Sequence, residues 1–281
     1  MDRVTRTGAP SRAGLWLSVV LFATVAVVGL LVRPALARDE TRYLSVAWEM
    51  WLSGDWLVPH INGETYSHKP PVLFWLINAG WRVFGVSDLW ARLAAPLCGL
   101  ACLGLVWRLA NLLWPESGGN VTHNGARLHH PHARPWIAPV MLATSAGWML
   151  FASLTMFDAP LTLCVLAALI GVVKARAGAP VRGFVLAGLA MGVGILTKGP
   201  VVFLHVLPVM LLAPWWDAGD RCVASGASGP RKMGHLAWYA GVMGAMALGV
   251  AVALAWALPA AKAGGEKFGN EILWGQSAGR M

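Results

Sequence analysis

The stretch "LWLSVVLFATVAVVGLLVRPALARDETRY", residues 15–43, decides the fold: an apolar run with no charge before Arg33, followed within a few residues by Asp39 and Glu40. About 20 such residues cross the hydrocarbon of a bilayer as one helix. The basic start (Arg3, Arg6, Arg12) and the small residues "ALA" at 35–37 resemble a secretory signal. The run is longer than a signal core and further apolar runs follow, so it reads as an uncleaved first span.

Working outward, the whole chain has the same character. Its 281 residues are 57% hydrophobic and 12% charged, with a mean hydropathy of +0.59. That is about half the charge of an average soluble domain, so the sequence reads as an all-α, multi-pass transmembrane helical bundle. The apolar runs are 13–35, 89–113, 136–154, 159–175, 183–197, 200–216 and 236–258, which predicts about seven spans. Segment 38–87 between the first two is polar at its ends and broken by "SGDW", "NGE" and "HKPP". Within it, Tyr43, Leu44, Ala47, Met50 and Trp51 recur at helical spacing, which predicts an interfacial helix over 40–53. A second, over 72–84, is too short to cross and reads as interfacial or partly buried, with Trp75 and Trp81 as anchors.

The net charge of +9 comes from basic residues scattered through the connections, with no continuous stripe, which argues against nucleic acid. Membrane topology accounts for it. With the N-terminus cytoplasmic, the inner connections hold 12 of the 22 Lys and Arg and four of the 13 Asp and Glu, as the positive-inside rule asks. Asp39, Glu40, Lys69, Asp158, Lys198 and the closing stretch 259–281 then all fall on the external side, although four separate connections supply them. The four Cys (98, 102, 164, 222) have no metal-site spacing and read as packing residues. The inner loop 115–135, with His123, His129, His130 and His132, reads as a solvated connection, and its "NVT" at 120–122 as an unused glycosylation pattern.

Each external charge has a bland reading beside a chemical one. Asp39, just past the span, is either the cap of the next helix or a partly desolvated base held ionised by a neighbouring Arg. In "YSHKPP", 66–71, two prolines hold Lys69 before a helix start, where it either snorkels or points its ammonium at a phosphate; Tyr66 and His68 are further donors, and His68 a candidate metal ligand. Asp158 in "TMFDAPL", 155–161, either caps the next helix beside Pro160 or serves as a second functional acid. Lys198 sits in the tight turn "LTKGPV", 196–201, and Arg280 near the end has the paired donors that grip phosphate. Together they describe an external cavity with carboxylates beside Lys and Arg, suited to a lipid phosphate and an acceptor.

The run "RDETRYLSVAWEMWLSGDWLVPHINGETYSHKPPVLFWLI", 38–77, followed by "FDAPLT" and "GILTKGP", resembles bacterial membrane glycosyltransferases of the aminoarabinose lipid A transferase (ArnT-like) type, related to protein O-mannosyltransferases in the GT-C superfamily. The resemblance runs in order through residues 13–281. It implies inverting transfer of a sugar, such as 4-amino-4-deoxy-L-arabinose or a hexose, from a polyprenyl (undecaprenyl) phosphate donor to lipid A or a protein or glycan acceptor. The place implied is the periplasmic face of the bacterial inner membrane, with the first external loop 38–87 at the site. By the same resemblance Asp39 matches the catalytic base, Asp158 a second acid and Lys69 the donor-phosphate lysine. Arg280 matches a phosphate-site arginine more loosely, and Glu40 and Arg42 belong to the Asp39 motif as positioning groups, Glu40 within the catalytic group and Arg42 with the donor-phosphate residues. No cofactor is required; a divalent metal at His68 is left open, because relatives commonly have Glu where this chain has His68. Relatives also continue beyond the position of Met281 with further spans and a periplasmic domain, so the chain reads as an N-terminal part of such a protein. A protein O-mannosyltransferase, a transporter of lipid-linked substrate, or a non-catalytic lipid-binding fragment are the alternatives; a transporter calls for ionisable groups at mid-membrane and internal duplication, and this chain keeps its charges at the edges.

Overall fold

The computed structural model describes residues 12–35, 39–114, 122–123, 126–127, 134–216 and 233–275. The elements follow in chain order as α1 (Ala13–Val32), α2 (Asp39–Ser53), β1 (His60–Ile61), β2 (Glu64–Thr65), α3 (Val72–Phe84), α4 (Asp88–Leu113), β3 (Thr122–His123) and β4 (Ala126–Arg127). Then come α5 (Ile137–Thr144), α6 (Ala146–Ala152), α7 (Asp158–Arg176), α8 (Pro180–Lys198), α9 (Val201–Trp216), α10 (His235–Ala263), α11 (Gly265–Asn270) and a π-helical turn, Glu271–Gly275. The strands form two short antiparallel ladders, β1–β2 and β3–β4, in an otherwise helical bundle.

Five helices, α1, α4, α7, α8 and α10, are long and apolar enough to cross a membrane, against about seven spans expected. The difference has local causes. Run 136–154 is divided at Ser145, whose extended backbone (ψ 117°) separates α5 from α6. Run 200–216 forms the 16-residue α9, with Pro208 and Pro214 inside it. Each proline removes a backbone donor.

α1 shows how a span packs when one side meets lipid. Gly14, Ser18, Phe22, Ala26 and Leu30 form its buried seam, while Leu31 and Val32 at its end are 77% and 79% exposed. The i, i+4 spacing places the seam on one helix face. Phe22, Ala26, Leu103, Ala143, Ala152 and Ala159 make the cluster that joins α1 to α4, α5, α6 and α7. α7 and α8 pack by small residues. A Cβ on Gly183 would stand 2.5 Å from the Gly171 carbonyl oxygen, so glycine at both positions permits a backbone approach that larger residues forbid.

Cross-links between helix ends define the two faces of the bundle. At one face Arg92 of α4 donates to the carbonyls of Leu30 (3.3 Å) and Arg33 (2.6 Å), satisfying the end of α1. Trp256 Nε1, late in α10, donates to the Leu57 carbonyl at 3.0 Å. At the opposite face Trp238, early in α10, donates to the Met210 carbonyl at 2.9 Å and stacks on the Arg176 guanidinium at the end of α7.

The segment between α1 and α4 lies over the first face. α2 buries Tyr43, Val46, Ala47 and Met50, as its helical spacing predicts. α3 forms as expected over 72–84, but its tryptophans are packing residues more than surface anchors. Trp81 is buried and donates to the Ser87 carbonyl at 2.8 Å; Trp75 donates to the Trp56 carbonyl at 2.8 Å. Between α2 and α3 the β1–β2 hairpin turns at Asn62 (φ 54°) and Gly63 (φ 78°), the left-handed pair of a tight hairpin turn. The Glu49 carboxylate of α2 accepts from both their amides, which fastens the turn to the helix.

Candidate active site

Asp39 and Glu40 open α2, and their fates differ. Glu40 is fully buried. Its Oε2 accepts from Arg33 Nη1 at 2.6 Å, and its Oε1 accepts from Arg33 Nη2 at 3.3 Å and from the Thr155 amide at 2.7 Å. One carboxylate thus ties the end of α1, the start of α2 and the approach to α7. Glu40 was expected in the catalytic group; both its oxygens are engaged away from solvent, so the geometry makes it a positioning residue. Asp39, one residue earlier, is exposed.

Asp158 opens α7 without capping it: the cap position is Phe157, which makes no side-chain bond there. Instead its Oδ1 accepts from Lys198 Nζ at 2.6 Å, joining the start of α7 to the end of α8. The pair is partly open, with side chains 48% and 30% exposed. Two charges read from separate connections are therefore direct partners.

Phe157 links this pair to the first loop. The Lys69 ammonium stands over its ring at 5.9 Å, a cation–π distance, and the Tyr43 ring meets it edge-on at 4.9 Å. Phe74 packs on both Phe157 and Tyr66, and Tyr66 on His68. Tyr43 senses the whole group. Burial pushes its hydroxyl up to about 12, with Tyr66, Asp39 and Asp158 adding to the rise and Arg42 opposing it. Desolvation and negative neighbours disfavour the phenolate, so Tyr43 stays a neutral hydroxyl below the acids.

Beside the cluster lies a groove of about 560 Å³ lined by His68, Lys69, Lys198, Pro200, Val201, Phe203 and Leu204. Its charged lining is wholly basic, and its other side is the apolar start of α9, where Leu204 is 75% exposed. Such a groove suits an amphiphile with an anionic head and an apolar tail. No three His, Cys, Asp or Glu come together to hold a metal ion among the described residues. His68 instead neighbours Tyr66 and the lysines.

Of the residues singled out in the sequence, the structure gathers Asp39, Glu40, Arg42, Tyr66, His68, Lys69, Asp158 and Lys198 at one face. Arg280 and the histidines at 129, 130 and 132 lie outside the described residues. Sequence reasoning missed Arg33, Arg92, Thr155, Ser67 and Glu271. An arginine beside proline at a span's end, and another four residues after Asp88 at a span's start, were the available signals for the first two.

Ionisable loops gathered over a helical bundle, beside a basic groove open to an apolar flank, match known proteins. Two family models, both described as dolichyl-phosphate-mannose-protein mannosyltransferase, match residues 68–124 and 126–263. An undecaprenyl phosphate-alpha-4-amino-4-deoxy-L-arabinose arabinosyl transferase of Edwardsiella ictaluri is 31% identical over 223 residues, 78% of this chain and 37% of that protein. An arabinosyl transferase of the same name, numbered 2, from Pseudomonas fluorescens is 30% identical over 90% of this chain and 39% of its own length. The crystal structure of ArnT from Cupriavidus metallidurans bound to undecaprenyl phosphate superposes with a TM-score of 0.65 at 27% identity, over 95% of this chain and 44% of that one. Fold and comparisons together define an integral membrane protein with the GT-C fold. Within that class the chain belongs to the ArnT-like family. It spans somewhat over a third of the length of the arabinosyl transferases from Edwardsiella ictaluri and Pseudomonas fluorescens.

Proposed function

We propose that the chain carries the donor-binding and catalytic face of an inverting glycosyltransferase. It moves a sugar, such as 4-amino-4-deoxy-L-arabinose or a hexose, from undecaprenyl phosphate to lipid A or another envelope acceptor. The observation that carries the reading is the groove in which Lys69 and Lys198 meet the apolar start of α9. The phosphate head sits between the two ammonium groups and the polyprenyl tail runs along the apolar side.

The chemistry follows from this placement. An acceptor oxygen attacks the anomeric carbon from the face opposite the phosphate, the carbon–oxygen bond to phosphate breaks, and undecaprenyl phosphate leaves. Lys69 and Lys198 stabilise the charge gathering on the departing phosphate. Asp158 orients Lys198 through the 2.6 Å ion pair. Asp39, exposed over the same cluster, takes the proton of a hydroxyl acceptor; where the acceptor is itself a phosphate oxygen, Asp39 orients it. Arg280 adds a second grip on the phosphate, and Glu40 and Arg42 position α2. The site faces the periplasm from the inner membrane, with the N-terminus cytoplasmic, as the charge distribution favours.

The family models favour a second reading of the acceptor, a protein hydroxyl. Mass spectrometry of lipid A and of envelope proteins, from cells with and without the gene, distinguishes the two. The reading itself is tested at Lys69. Lys69→Ala weakens binding of undecaprenyl phosphate in nanodiscs by at least about tenfold, the worth of one charge-assisted contact; equal binding by variant and wild type removes Lys69 from the phosphate site.

A further inference from the structure

The loop that carries Lys69 is held from behind by a residue 204 positions further along the chain. Ser67, 9% exposed, donates its hydroxyl to Glu271 Oε2 at 2.6 Å. Glu271 opens the π-helical turn Glu271–Gly275, a rare geometry that gathers at functional sites.

Two further observations give this contact its meaning. A small cavity of about 80 Å³ is lined by Ser67 and Pro70 of the Lys69 loop, Gly199 and Pro200 after Lys198, and Trp256 and Ile272. The turn that begins at Glu271 therefore backs onto both segments that present lysines to the groove. The carboxylate itself is absent from the groove lining, where it would compete with phosphate for the ammonium groups. The loop is also fixed just before Ser67, where the Tyr66 amide donates to the Pro59 carbonyl at 2.7 Å, and just after Lys69, where Pro71 leads into α3. The Ser67–Glu271 bond fills the interval between these anchors.

We propose that Glu271 is a positioning residue of the donor-phosphate site: by accepting from Ser67 it sets the Lys69 ammonium at the spacing from Lys198 that one phosphate requires. The inference rests on the donor-phosphate reading of the groove. A bond to a carboxylate is the strong kind, and a charged site held by a bound second layer keeps its geometry where a loose one does not.

The test compares the protein in nanodiscs with Ser67→Ala, Glu271→Gln, the double variant, Ser67→Thr and Lys69→Ala, reading undecaprenyl phosphate binding and the KM and kcat of transfer. Ser67→Ala weakens binding by about tenfold and Glu271→Gln, whose amide oxygen still accepts from Ser67 without the charge, by less; both raise the donor KM and lower kcat, because the same Lys69 ammonium stabilises the departing phosphate. The double variant binds no worse than Ser67→Ala alone, because that substitution already removes the whole bond. Ser67→Thr, which keeps a hydroxyl, recovers most of the loss. Wild-type binding by Ser67→Ala, or additive losses in the double variant, overturns the inference while a weakened Lys69→Ala leaves the donor-phosphate reading standing. A Lys69→Ala protein that binds normally overturns both. Should Glu271→Gln fail to fold, Ser67→Ala and Ser67→Thr carry the comparison.

Discussion

Asp39→Asn abolishes sugar transfer, lowering it at least about 100-fold, while the protein inserts and binds undecaprenyl phosphate as before. The argument is one of position. Asp39 opens α2 as an exposed residue, one place before a glutamate that the fold consumes entirely. Its charge reaches the Tyr43 hydroxyl together with those of Asp158 and Arg42, so it stands over the same cluster as the pair that reaches the groove. The asparagine keeps size and hydrogen-bonding capacity and loses the charge and the proton affinity. Turnover at the wild-type rate, measured with an acceptor bearing a free hydroxyl, refutes the assignment. A loss seen with hydroxyl acceptors and absent with phosphate acceptors identifies Asp39 as a proton acceptor more than a positioning group.

Glu40→Ala has the second large effect, and it falls on the fold. The variant leaves the Arg33 guanidinium and the Thr155 amide without the carboxylate that satisfies both. Removing one partner of a fully buried ion pair costs about 3–5 kcal/mol; Arg33, 28% exposed, recovers part of that from solvent, while the buried Thr155 amide left unsatisfied costs about 1–3 kcal/mol. The expected result is a protein that melts many degrees lower in detergent and loses transfer with it. Glu40→Gln separates charge from shape: it still accepts from the Thr155 amide, retains part of the stability, and keeps donor binding where it folds. A melting temperature unchanged in Glu40→Ala would show that the Arg33–Glu40–Thr155 connection does not hold the face together.

These two neighbouring acids mark what the sequence could and could not disclose. That α2 is a helix, and which face it buries, was legible because Tyr43, Ala47 and Met50 keep a local period. The gathering of Lys69, Asp158 and Lys198 at one face was legible too, since span parity assigns every connection a side. Which acid is structural and which is free was not, because the decision is made by Thr155, 115 residues away from Glu40. The Ser67–Glu271 bond is hidden for the same reason: both residues look like ordinary polar loop positions until the turn after α11 brings them together. Five of the seven expected spans are single helices long and apolar enough to cross, and the other two apolar runs are divided or short. Ser145 adopts an extended backbone inside one apolar run, and another forms only the 16-residue α9, which continues through Pro208 and Pro214; the average apolarity that flags a span is blind to both.

The central claim is that the groove beside Lys69 and Lys198 seats the phosphate of a polyprenyl lipid with its tail along α9. Photo-crosslinking tests it most directly, with undecaprenyl phosphate carrying a photoreactive group on an isoprene unit near the phosphate, and adducts mapped by mass spectrometry. The account predicts adducts on the Lys69 loop, residues 66–71, and on Val201, Phe203 and Leu204, all suppressed by unlabelled undecaprenyl phosphate and lost in Lys69→Ala. Adducts confined to the opposite apolar groove, around Phe184, Gly241 and Leu248, would contradict it.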